Sequence, residues 1–323
     1  MREGHEVCGG VLEMHDYTET EAANAVCRAL GIPLYTINCR DLFERSVVSN
    51  FIDEYRRART PNPCIICNSE VKFEALLDFA LDNGFDAIAT GHYARIESCD
   101  TAYGKRYYVK RSCDAKKDQT YMLWRLSQRV LSHLVLPLSD VTKEDVVRES
   151  REAGIISENR AESQEICFIP DNDHAAFIES RVGPSPEGDF VDTNGAVLGR
   201  HKGMINYTIG QRKGLGIALG ARAFISDIDL DTNRITLSFD TRMTDRFTVS
   251  GMVFSGIDTP TENEKMRLNV KHRYHSPEIL ADVTFFSDGR AEVLLDEPAR
   301  SLTPGQSAVF YLGDAIAAGG FID

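Results

Sequence analysis

No run in the chain approaches the roughly eighteen consecutive apolar residues that a membrane-spanning helix needs, which excludes a helical membrane protein. Positive charge is scarce too. With 36 Lys and Arg against 49 Asp and Glu, the formal net charge is −13 at pH 7. Such a surface repels phosphates over a Debye length of about 8 to 10 Å, which argues against tight non-specific binding to nucleic acid. The opening Met1-Arg2-Glu3-Gly4-His5 lacks the basic, apolar, small-residue order of a signal peptide, so the chain is expected in the cytoplasm, with no membrane partner. There is no second C-x-x-C and no pair of histidines at finger spacing, so structural zinc loses ground. Internal repeats and low-complexity tracts are absent as well.

What is present is ordinary for a globular protein: 42% hydrophobic and 26% charged residues over 323 positions, enough for two or three domains. Basic residues cluster at Lys105, Arg106, Lys110, Arg111, Lys116 and Lys117, then at Arg200 and Lys202, at Arg212 and Lys213, and at Lys271 and Arg273. Singly these read as solvated faces; together they suit a structured RNA held at several phosphates.

From residue 6 to about 90, short apolar runs alternate with helix-like segments, the signature of βαβ units and a parallel sheet. Val7 to Met14 reads as a strand, Glu19 to Leu30 as a helix closed by Gly31, Pro33 to Asn38 as a strand and Leu42 to Arg57 as a long helix. A further helix carries Phe73, Leu76, Leu77 and Ala80 to Gly84, and a strand over Asp86 to Thr90 ends at Gly91-His92-Tyr93. Ligands of open α/β sheets bind outside the carboxyl ends of strands, so Gly91 and His92 occupy a binding position by topology alone. Residues 93–111 read as a hairpin and Asp118 to Leu134 as a helix, while Thr142 and Asp145 predict a capping box for a helix stopped by Gly154. Three domains are expected: an α/β domain over 1–160, a small connecting domain over 161–220 with a short helix around His174 to Ser180, and an all-β barrel over 221–323. In the barrel, apolar residues alternate at Met266, Leu268 and Val270 and at Ile279, Ala281, Val283 and Phe285.

Cys8, Cys27, Cys39, Cys99 and Cys113 are isolated and read as small buried hydrophobes. Cys64 and Cys67 differ, because they form a C-x-x-C on the proline-stiffened loop Thr60-Pro61-Asn62-Pro63 at the start of a helix. Half a zinc site, a redox pair and two buried cysteines all fit that spacing. A helix N-terminus favours a thiolate, so Cys67 is expected to have a lowered pKa. The partner candidate is Cys167, in Ser163-Gln164-Glu165-Ile166-Cys167-Phe168-Ile169-Pro170.

Taken together, T-P-N-P-x-x-x-C-N from 60 to 68, A-T-G-H-Y at 89–93, K-D-Q-T-Y at 117–121, I-C-F-I at 166–169, G-Q-R-K-G-L-G-I at 210–217 and T-P-G-Q-S-A-V-F-Y at 303–311 resemble the bacterial tRNA-specific 2-thiouridylases over nearly the whole chain. The resemblance implies an ATP-pyrophosphatase fold, a Rossmann-type α/β sheet, with a small central domain and a C-terminal β-barrel. It implies ATP-dependent 2-thiolation of the wobble uridine of tRNA, with ATP and magnesium activating the C2 oxygen. It implies that Cys167 carries a persulfide from a sulfur-relay donor protein or cysteine desulfurase and that Cys67 is the nucleophile pairing with it. Base contacts fall on Asn62, Pro63 and Cys64, other tRNA contacts on His92, Lys117, Asp118, Gln119, Arg273, Tyr274 and Gln306, and nucleotide contacts on Leu12 and Gly91. Each has an ordinary alternative: a packed core histidine for His92, a barrel surface pair for Arg273 and Tyr274, turn chemistry for Gln306.

The chain departs from the family twice. Many relatives have aspartate where Cys64 stands, so an acid–base role does not transfer; instead Cys64, Cys67 and Cys167 are candidate ligands to a 4Fe–4S cluster. The phosphate loop S-G-G-x-D-S and the strand before it are also missing, because Cys8-Gly9-Gly10 lacks the following Asp and Ser. The expectation is therefore an N-terminally incomplete chain that binds ATP poorly. A non-catalytic tRNA-binding or iron–sulfur-binding protein is the rival reading, and an ATP pyrophosphatase with another acceptor is the third.

Overall fold

The computed structural model describes residues 4–18, 20–155, 166–240, 243–300 and 302–323. Glu19, Ser163 to Glu165 and the expected boundary near residue 160 lie outside them. Contacts divide the chain into two units, Met1–Val48 with Pro63–Pro170 and Ser49–Asn62 with Asp171–Asp323. Among the described residues no helix is long and apolar enough to cross a membrane.

In the first unit, strand β1 (Gly9–Glu13) pairs in parallel with β2 (Leu34–Asn38) across the Thr20–Leu30 helix. That helix stops where Gly31 adopts φ 66°, which lets the Ile32 N–H reach back to the Cys27 carbonyl at 3.0 Å. A second parallel pair joins β3 (Ile88–Ala89) to β6 (Leu134–Val135), and the hairpin of β4 (Arg95–Thr101) and β5 (Gly104–Lys110) lies between them in sequence. The Lys143–Glu152 helix begins with the expected capping box: the Thr142 hydroxyl accepts from the Asp145 N–H, and the Asp145 carboxylate accepts from the Thr142 N–H.

The expected continuous helix from Asp118 to Leu134 is not formed. A 3₁₀ turn over Thr120–Met122 gives way to irregular chain, and a short helix starts only at Gln128, capped by Ser127. The cause is burial on every side. Tyr121, Leu123, Trp124, Leu126, Val130 and Leu131 are all at most 2% exposed, which a helix with one apolar face cannot achieve.

The second unit opens with the Ser49–Arg56 helix, whose Tyr55 ring stacks at 4.8 Å on His174 of the His174–Val182 helix. A four-stranded sheet follows in the order β8 (Val197–His201), β7 (Gly188–Asp192), β10 (Arg234–Ser238), β9 (Phe224–Asp229), with Phe190, Ile225, Ile235 and Leu237 as its core. Six further strands, β11 (Met243–Val253), β12 (Lys265–Lys271), β13 (Ile279–Phe285), β14 (Ala291–Arg300), β15 (Ser307–Leu312) and β16 (Ala315–Ile322), close into a barrel because β11 pairs with both β14 and β16. The inward residues follow the period of two read from the sequence, with Ala281, Val283 and Phe285 facing Ala291, Val293 and Leu295 in the core.

Candidate active site

The C-x-x-C segment is helical from Pro63, whose missing N–H costs nothing in a first helical turn. Ile65 and Ile66 are buried and fix the helix against the core, which turns Cys64 outward and Cys67 inward. From Cys67 to Lys72 the helix widens into a π-turn, a distortion that recurs at functional sites. Cys67 is 6% exposed, and its thiol donates weakly to the Met14 thioether at 3.7 Å. Here the expectation of a lowered pKa fails. The helix starts at Pro63 rather than at Cys67, and burial pushes the Cys67 thiol up to about 12 in spite of the opposing pull of Lys72.

Cys167 stands in the tight turn closed by the Ile169 N–H on the Ile166 carbonyl at 2.9 Å. Phe168 and Ile169, 6% and 1% exposed, anchor that turn, and the Phe168 ring meets Phe43 edge-on at 5.5 Å. Cys167 keeps an exposed edge, yet the atoms crowding its sulfur push the thiol up, with the charge of Cys64 adding to the effect. Cys167 and Cys64 likewise each raise the Cys67 thiol, so all three sulfurs lie within Coulombic reach of one another inside the first unit. All three are free thiols.

Lys72 acts against these shifts, lowering Cys64, Cys67 and Cys167 alike. His92 also feels it. The half-buried His92 ring lies 5.3 Å from Phe73 and 2.9 Å, through Nδ1, from the Thr90 hydroxyl. Burial and then Lys72 lower its pKa to about 4, so the ring is neutral at pH 7. Gln119 is tied back to Tyr93, accepting its N–H at 2.9 Å on the side-chain oxygen, and Asp118 accepts from the Thr120 hydroxyl at 2.8 Å. Lys117 precedes them, half-buried, its N–H on the Asp114 carbonyl.

The second unit holds the other expected contacts. Gln306 donates through Nε2 to the Thr60 carbonyl at 2.9 Å, two residues before the half-buried Asn62. Arg273 donates to the Thr303 hydroxyl at 2.6 Å, and Lys271 lies over the Tyr274 ring at 5.7 Å.

A cavity of about 1240 Å³ in the first unit runs along Gly9 to Leu12 of β1 and past Ala89 and Thr90 at the carboxyl end of β3. Its apolar wall of Leu12, Val26 and Leu76 suits an adenine ring, and Lys72, Lys143 and Arg151 on its rim suit phosphates, so these residues fit a nucleotide. The iron–sulfur reading fares otherwise. Among the described residues no group of three or more His, Cys, Asp and Glu side chains is placed to hold a metal ion, and Cys64, Cys67 and Cys167 do not form a ligand set.

Three family models match in order: a tRNA methyl transferase HUP domain over 6–171, a tRNA methyl transferase PRC-barrel domain over 175–238 and an aminomethyltransferase beta-barrel domain over 244–322. A tRNA-specific 2-thiouridylase MnmA of Acetivibrio thermocellus is 42% identical over 100% of this chain and 93% of its own length. The chain belongs to the tRNA-specific 2-thiouridylase family. The same-named protein of Halothermothrix orenii is 40% identical over 99% of this chain and 92% of its own length, and that of Carboxydothermus hydrogenoformans 44% identical over 93% and 82%. As a 2-thiouridylase family member the chain has an α/β HUP domain, a central PRC-barrel and a closed C-terminal β-barrel.

Reasoning from sequence missed Lys72, Met14 and Phe43. Lys72 left a trace, since it follows Cys67 in the same helical segment, but a regular α-helix would turn the two onto different faces. Met14 and Phe43 left none, because their contacts to Cys67 and Phe168 depend on segments far apart in the chain.

Proposed function

We propose that this chain is a cytoplasmic tRNA-uridine 2-sulfurtransferase that replaces the C2 oxygen of the wobble uridine with sulfur, using ATP. The observation that supports the reading most is the Coulombic coupling of Cys67 and Cys167, two thiols from distant segments that meet in one unit. The names of its relatives give the acceptor.

ATP with magnesium, when bound, supplies the adenylyl group that turns the C2 oxygen into a leaving group. Leu12, Gly91 and the basic rim of the cavity hold the nucleotide. Cys167 receives a sulfane sulfur from the persulfide of a relay protein or a cysteine desulfurase, whose own cysteine departs as a thiolate. The terminal sulfur on Cys167 bonds to C2 as the C2–O bond breaks. Cys67 then bonds to the Cys167 sulfur as the persulfide S–S bond breaks, which leaves one sulfur on the base and a Cys67–Cys167 disulfide. Two electrons from an external thiol reopen that disulfide. Asn62, Pro63 and Cys64 face the base, and His92, Lys117, Asp118, Gln119, Arg273, Tyr274 and Gln306 hold the surrounding tRNA. A neutral His92 donates a hydrogen bond to RNA without forming an ion pair with a phosphate.

The test is thiolation of wobble-uridine tRNA with ATP and a persulfide donor. Cys167→Ser and Cys67→Ser are expected to lose the activity while still binding tRNA. Full thiolation by Cys167→Ser overturns the assignment of the sulfur carrier.

A further inference from the structure

Resting on that functional reading, we infer that Lys72 is a positioning residue whose ammonium group holds Cys67 and Cys167 ready to react as thiolates. Three observations converge on it. Cys67 and Lys72 are the first and last residues of one π-turn, and the i→i+5 spacing of such a turn stacks its two ends on the same side. The Lys72 side chain lines the large cavity together with Met14, which touches the Cys67 sulfur, and Thr90, which bonds His92. Lys72 also makes no ion pair with any carboxylate among the described residues, so its charge is not spent on a surface partner.

The need for such a charge comes from burial. A thiol nine-tenths covered by protein stays protonated at neutral pH, and only the thiolate attacks a persulfide. The backbone N–H of Lys72 is directed at the Cys67 sulfur and its side chain lowers the same thiol, while Cys64 and Cys167 raise it. One cation therefore opposes the mutual repulsion of three thiols. The same charge disfavours protonation of His92, keeping the neighbouring ring from competing as a second cation.

The test reads the thiols directly and needs neither tRNA nor ATP. The full chain is alkylated with iodoacetamide at pH 8, and the rate at each cysteine is followed by peptide mass spectrometry in the wild type, Lys72→Met and Lys72→Arg. An opposite charge nearby is worth about one pKa unit or more, so alkylation of Cys67 and Cys167 is expected to slow roughly tenfold in Lys72→Met. Lys72→Arg keeps the charge and is expected to keep most of the rate, and exposed Cys113 serves as the unaffected reference. Unchanged rates at Cys67 and Cys167 in Lys72→Met overturn the inference, as does an equal fall in Lys72→Arg. If the rates behave as expected and the wild type never thiolates tRNA, the proposed function fails while the role of Lys72 stands.

Discussion

Acid should destabilise the first unit through His92. Burial, followed by the charge of Lys72, lowers this ring from the ordinary 6.5 to about 4. Between those values the unfolded chain binds a proton that the folded chain refuses, so stability is complete above pH 6.5 and is lost as pH falls through 4. At about 1.4 kcal/mol per unit the whole shift is worth roughly 3 kcal/mol, an upper figure for a ring that is only half-buried. Replacement by Gln keeps a hydrogen-bonding side chain beside the Thr90 hydroxyl and removes the titration. The assay is a histidine NMR titration, with the His92 resonance assigned by its loss in His92→Gln. It is preferred to denaturation because a chain of two units need not unfold in one step. A midpoint near 4 is expected, with a flatter loss of structure between pH 6.5 and 4 in His92→Gln. A midpoint of 6 or above refutes the reasoning, since it would mean that water reaches the ring freely.

Phe168→Ala removes a ring that is 6% exposed and packed edge-on against Phe43, at a cost of about 3 to 5 kcal/mol. Its freed turn is expected to cut the yield of Cys67–Cys167 disulfide under mild oxidation several-fold by mass spectrometry; wild-type yield would count against the anchoring role. Gly256→Ala would set a Cβ 1.9 Å from the Ile316 carbonyl oxygen, so the barrel is expected to melt several degrees lower by circular dichroism, and an unchanged melt contradicts that approach. Anaerobic reconstitution with iron and sulfide is expected to give no cluster absorbance, because the described residues offer no ligand set. A cluster lost in Cys64→Ser would reverse that conclusion.

Features that depend on neighbouring residues were legible in the chain. The capping box of Thr142 and Asp145, the helix stop at Gly31 and the inward alternation at Ala281, Val283 and Phe285 all follow from hydrogen bonds and side-chain periods spanning a few positions. The stretch from Asp118 to Leu134 was not, because its dense apolar content satisfies a helical period while the fold buries it from all sides and breaks it. Local signals also put Cys67 near a helix start, where a thiolate is favoured, and could not count the atoms that would surround it.

The sequence by itself determined the order of strands and helices, the barrel's inward face and the motifs that mark the 2-thiouridylase family, since each is written in short spacings. Tertiary structure alone decided that Cys167 comes within Coulombic reach of Cys67, that Cys67 is a buried thiol and that Lys72 is the cation set against it. Desolvation and Coulomb forces act through space, so their sources lie in segments that no local pattern connects.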